Sequence, residues 1–170
     1  MKKILVMTMA MLAMAFAFTS CGSDDDDDPK VDTNLYGYGI VKIQESVFEI
    51  ATATLVLEYD GQQYSYKFDE STKVASDPGM GGAARVIEKQ FTFKAEPAKA
   101  SIKFELTEAG KKKLADDPDG RTDFKFIYGF GRVKPGETSV SVQNGGAGKV
   151  LNSALEKLMQ EESKISHTVK

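Results

Sequence analysis

From Leu35 onward, apolar and polar residues alternate with a period close to two, the signature of half-buried strands. Residues 47–59 are rich in Val, Ile, Thr and Leu and put Leu55, Leu57 and Tyr59 on one side of the pleat. Asp60-Gly61 follows, and Tyr64, Tyr66 and Phe68 then alternate with Ser65 and Lys67, which predicts a tight hairpin because Gly adopts positive φ at little cost. Residues 71–84 hold Pro78, Gly79, Gly81 and Gly82 without periodicity and read as a long loop. Ile87, Phe91 and Phe93, then Ile102, Phe104 and Leu106, form two alternating runs around Glu96-Pro97, which predicts a second hairpin. Thr107 is placed to cap a short helix through Ala115, stopped by Asp117-Pro118-Asp119-Gly120. Phe124, Phe126, Tyr128 and Phe130 make the most aromatic strand, one suited to a core.

Residues 140–143 read as a last short strand and Asn144 to Gly148 as a flexible connector. Val150, Leu151, Ala154, Leu155, Leu158 and Met159 then recur at spacings of three and four among Lys and Glu, predicting an amphipathic helix that ends near Lys164. Its stripe should cover one face of a sheet or close one end of a sandwich. The pattern implies a mainly β, antiparallel sandwich or flattened barrel of six or seven strands, with a short middle helix and a C-terminal amphipathic helix. The alternative is an α+β open sheet backed by that helix.

Ahead of this region the pattern is different. Lys2 and Lys3 precede an apolar run from Ile4 to Phe18, broken only by Thr8 and closed by Thr19, Ser20 and Cys21. This stretch resembles the signal peptide and lipobox of a bacterial lipoprotein, with Phe18 and Ser20 where the common lipobox has Leu and a small Ala or Gly. The resemblance implies diacylglyceryl transfer to Cys21, removal of residues 1–20 and fatty acylation of the new amino terminus. Asp24, Asp25, Asp26, Asp27 and Asp28 resemble the tag that exports some Gram-negative lipoproteins to the outer face of the outer membrane. Residues 21–33 then form a lipidated acidic tether, extended by charge repulsion, and 34–170 a single globular β-rich domain. A spanning helix is disfavoured, because the run falls short of about 20 apolar residues and meets five carboxylates at once. The expected membrane contact is the lipid on Cys21.

Composition narrows the function. Removing residues 1–20 takes away two lysines and no acid, leaving 20 basic and 25 acidic residues; without the Asp run, residues 29–170 balance at 20 against 20. Such a domain has no electrostatic bias toward nucleic acid. Cys21 is the only cysteine, so no disulfide within the chain can support the fold.

Candidate chemistry is sparse. His167, the only histidine, is the fourth residue from the end of the sequence, where fraying would deny it to Ser-His or Cys-His catalysis. Asp117, Asp119 and Asp123 with Gly120 offer hard oxygen ligands, but such residues are also what a helix-to-strand turn uses. Gly145-Gly146-Ala147-Gly148-Lys149 fails as a phosphate loop, with Gln143 and Val150 at the required Gly and Ser/Thr positions. Glu49 or Glu58 with Glu88 or Glu105 could supply a carboxylate pair, although no spacing couples them. No catalytic residue, metal or cofactor is therefore assigned. Two tyrosine pairs, Tyr36 with Tyr38 and Tyr64 with Tyr66, suggest a binding platform if exposed, or half-buried core if not.

The expectation is a lipid-anchored, surface-exposed envelope domain of non-catalytic binding or accessory type, with a glycan, protein or small ligand as partner. The alternatives are a small surface hydrolase or inhibitor, acting through loops 71–84 and 134–149, or a structural envelope component.

Overall fold

The computed structural model describes residues 35–68, 73–93 and 98–169. The leader, Cys21, the Asp24–Asp28 run and the tether lie outside the described residues, as does the Glu96-Pro97 turn. Two antiparallel sheets pack face to face. One has the order β4-β5-β1-β7-β8 and the other β3-β2-β6-β9, built from β1 (Tyr36–Gln44), β2 (Ala51–Tyr59), β3 (Gln62–Lys67), β4 (Lys73–Asp77), β5 (Gly82–Phe91), β6 (Ala98–Leu106), β7 (Arg121–Val133), β8 (Gln143–Leu151) and β9 (His167–Val169). The sheets are not closed into a barrel, so the sandwich expectation holds, with nine described strands where six or seven were expected.

The β2–β3 hairpin forms as the sequence predicts. Asp60 (φ 51°) and Gly61 (φ 71°) both take left-handed backbone, the primed turn whose twist suits two-residue hairpins. Ahead of it, Glu45–Glu49 is a 3-10 turn and not strand, which carries the chain from one sheet to the other and buries Val47. The second hairpin does not form. β5 pairs with β1 and β4, whereas β6 pairs with β2 and β9 in the opposite sheet. Alternation marks a strand's buried face but not its partner, and here the two strands belong to opposite sheets.

Residues 71–84 are not a loop throughout. β4, a 3-10 turn at Pro78–Met80 and the start of β5 occupy residues 73–84. Asp77 holds the turn: one carboxylate oxygen accepts from the Gly79 N–H at 3.0 Å, and the other takes the Lys42 ammonium at 2.7 Å. Tertiary contacts thus order a segment whose local pattern predicts none. The turn and the loop after β7 cover the outer face of the five-stranded sheet, burying Tyr38, Met80, Ala84 and Val133 away from the inter-sheet core.

Helix α1 (Glu108–Asp116) starts at the predicted cap, with the Thr107 hydroxyl accepting from the Gly110 N–H at 3.0 Å. Gly110 is required by close approach, since a Cβ there would lie 1.9 Å from the Ile50 carbonyl oxygen. The aromatic strand β7 sends Phe124 and Phe126 into the core, where both rings meet Phe104 of the other sheet at 5.0 and 5.2 Å.

Residues 140–148 differ from expectation. The strand begins at Gln143 and runs through the glycine-rich segment read as a connector. Phe126 explains this, because a Cβ at Gly145 would sit 2.1 Å from its ring, and the bare backbone lets the ring approach β8 closely. A register shift opposite Phe124 and Lys125 absorbs the positive φ of Gly146 and Gly148. Helix α2 (Asn152–Glu162) consequently starts only after the first two residues of the expected apolar stripe. Val150 and Leu151 end β8, Leu151 is 40% exposed, and Ala154 is exposed, while Leu155 and Met159 are buried and Leu158 is half-buried. The helix closes one end of the sandwich against β6, β7 and β8.

Candidate functional site

Residues 167–169 form a strand, contrary to the expectation of a frayed His167. β9 adds to the edge of β6, with His167 opposite Ala100 and Val169 opposite Ala98, and Val169 is fully buried. After α2, Ser163 takes over the same edge: its hydroxyl accepts from the Phe104 N–H at 2.9 Å, and its carbonyl accepts from the Lys103 ammonium. The sequence signal was slight, a three-residue His-Thr-Val alternation too short for a periodicity argument.

This ordering sets the imidazole on aromatic rings. The His167 ring centre lies 4.1 Å from that of Tyr128 and 5.8 Å from that of Phe130, and those two rings stack at 5.5 Å. β8 pairs with β7 only from Arg121 to Tyr128; beyond Gln143 the chain leaves the sheet, and Val140 and Ser141 fold onto Gly129. The vacated line beside β7 and the edge of β9 bound a cleft of about 430 Å³, lined by Tyr128, Gly129, Phe130, Ser141, Gln143, Ser166, His167 and Thr168. That volume lies within the range of about 300–1,000 Å³ usual for small-molecule sites.

Among the described residues the lining has no carboxylate, ammonium or guanidinium. Burial holds the His167 imidazole below its ordinary pKa, so it is neutral at neutral pH. Burial pushes the Tyr128 phenol up, helped by the nearby Glu162 carboxylate. Glu162 is itself raised by burial and then by its neighbour Glu161. The Tyr128 hydroxyl donates to the Gln143 side-chain oxygen at 3.2 Å, which leaves the Gln143 amide N–H groups as donors. The floor is aromatic and the rim neutral and hydrogen-bonding.

The tyrosine pairs are not brought together. Tyr38 is 3% exposed, covered on the outer face of β1 where its hydroxyl meets Thr138, so Tyr36 and Tyr38 do not form an exposed pair. Tyr64 and Tyr66 lie half-buried on edge strand β3 of the other sheet, packed on the core. Tyr64 stacks on Tyr59 at 4.5 Å and donates to Gln62 at 2.8 Å, and the Lys89 ammonium lies 4.3 Å from the Tyr66 ring centre.

The other candidates are placed as follows. Gly145 to Lys149 lie within β8, so no anion loop precedes α2. Glu58 and Glu105 are exposed in one sheet and Glu88 in the other, while Glu49 pairs with Lys113 at 2.7 Å. Asp117 and Asp123 line a second cleft of about 270 Å³ with Glu49, Lys113, Arg121 and Asn152. Its wall is held by Asn152, whose side chain donates to the Asp117 carbonyl at 2.7 Å and accepts from the Thr122 hydroxyl at 2.8 Å, a structural role no motif announces. Among the described residues no group of three or more His, Cys, Asp or Glu is placed to hold a metal ion, and no helix is long and apolar enough to cross a membrane. Comparisons with protein-family models, with curated proteins and with solved structures return no match to this chain.

Proposed function

We propose that this chain is a lipid-anchored protein of the cell envelope, carried on acylated Cys21 and displayed at the outer face of the outer membrane, whose sandwich is a non-catalytic binding domain. The anchor reading is supported by the basic, apolar and Phe18-Thr19-Ser20-Cys21 succession, and the display reading by Asp24–Asp28. The observation that carries the binding reading is the cleft between β7 and β9, which gathers three rings and several neutral hydrogen-bonding groups in one concavity. An imidazole without a paired carboxylate in the lining is better suited to contact than to catalysis.

The experiment uses protein extracted from membranes. Mass spectrometry should find acylated Cys21 as its first residue. The same material, screened on printed arrays of glycans and peptides, should retain a ligand that Tyr128→Ala loses and Tyr64→Ala keeps. The opposite pattern would move the site to the β3 tyrosines, and a retained leader would remove the anchor.

A further inference from the structure

We infer that the β7–β9 cleft takes a neutral sugar ring, an inference that rests on its being the ligand site. The cleft makes two demands that few ligands meet together. Its floor, the half-buried rings of Tyr128, Phe130 and His167 packed on one another, presents aromatic surface that rewards apolar contact and attracts C–H groups. Its rim, Ser141, Gln143, Ser166 and Thr168, presents hydroxyls and an amide that lose water when a ligand enters.

A purely apolar ligand would strip that water and return no hydrogen bonds, leaving those groups unmet. An ionic ligand would lose its own hydration and find no opposite charge in the lining. A pyranose answers both demands. One face is a patch of C–H groups that stacks on a ring, while its equatorial hydroxyls point outward, each both donor and acceptor. Neutral imidazole offers the matching pair, one N–H and one lone pair, and Gln143 offers its amide N–H groups. Among the described residues the lining holds no lysine or arginine, which further favours uncharged sugars over uronates or sialylated chains.

The test is calorimetric titration of the acylated protein, in a detergent without a sugar headgroup, with methyl glycosides of neutral hexoses and with short neutral oligosaccharides. Wild type should bind. Tyr128→Ala should weaken binding by about tenfold or more, the equivalent of losing one good contact. Tyr128→Phe, which keeps the ring, should lose only a few-fold. Ser166 is exposed, so Ser166→Trp should fill the cleft without unfolding the domain and should abolish binding.

Failure of wild type to bind any neutral glycoside overturns the inference. If wild type instead retains a peptide or an acidic glycan, and Ser166→Trp removes it, the cleft stands as the ligand site but the sugar assignment falls. If a sugar binds and Ser166→Trp leaves it unaffected, the ligand sits elsewhere and both fall.

Discussion

Helix α2 should be a structural element whose contribution concentrates in one side chain. Leu155 has 0% exposure and belongs to the core cluster between the sheets, whereas Leu158 is only partly buried and Leu151 is 40% exposed. Leu155→Ala removes buried methyl and methylene groups and leaves a void bounded by both sheets. For fully buried leucines that combination costs about 3–5 kcal/mol, the spread depending on how far the site collapses. Rigid strands on two sides limit collapse here, which favours the upper half of that range. Leu158→Ala, already partly hydrated, should cost under ~2 kcal/mol, and Leu151→Ala should fall within about 0.5 kcal/mol. In urea, with a slope of about 2 kcal/mol/M for a domain of this size, Leu155→Ala should lower the midpoint by roughly 2–2.5 M. Equal shifts for Leu155→Ala and Leu158→Ala would refute the packing described. No shift for either would mean that the helix does not close the sandwich.

Two further outcomes rest on the geometry and one on the proposed function. Asn152→Ala removes a donor from the Asp117 carbonyl and an acceptor from Thr122, and should cost about 1–3 kcal/mol by urea titration; a change under ~0.5 kcal/mol would mean those bonds are replaced by water. The Asp77 carboxyl is held below its usual range, chiefly by its hydrogen bond from Lys42, so its stabilisation is present above the ordinary carboxylate pKa and lost as pH falls through its folded value. Asp77→Asn should therefore flatten the acid limb of a stability-versus-pH curve, and an unchanged limb would count against the pair. Replacing Asp24 to Asp28 together with alanine should leave fatty acylation of Cys21 intact and remove the domain from the reach of external protease; unchanged protease access would reduce the run to a spacer.

What could be read in advance was local chemistry. The Asp60-Gly61 hairpin, the Thr107 cap and the burial of Phe124 and Phe126 each follow from a few adjacent residues, and each is present. What could not be read was made by distant partners. β4 and the Pro78–Met80 turn depend on Lys42 and on Lys125, whose ammonium bonds the Gly79 carbonyl at 2.8 Å. The glycines of β8 read as connector until the Phe126 ring lies on them. β5 and β6 alternate like hairpin partners yet enter opposite sheets. The cleft was hidden for the same reason. Its rings come from the middle of the chain, its imidazole from the end, and only the pairing of β9 with β6 joins them.

The most direct measurement is proton NMR of that imidazole, because His167 is the only histidine and its ring Hε1 gives a single, unambiguous resonance. Burial against Tyr128 and Phe130 should shift it upfield by ring current, and its titration midpoint should fall below the ordinary imidazole value. Addition of a bound ligand should move the same peak. A sharp resonance at the position of an unstructured peptide, with an ordinary midpoint and no response to ligand, would contradict the cleft and the function built on it.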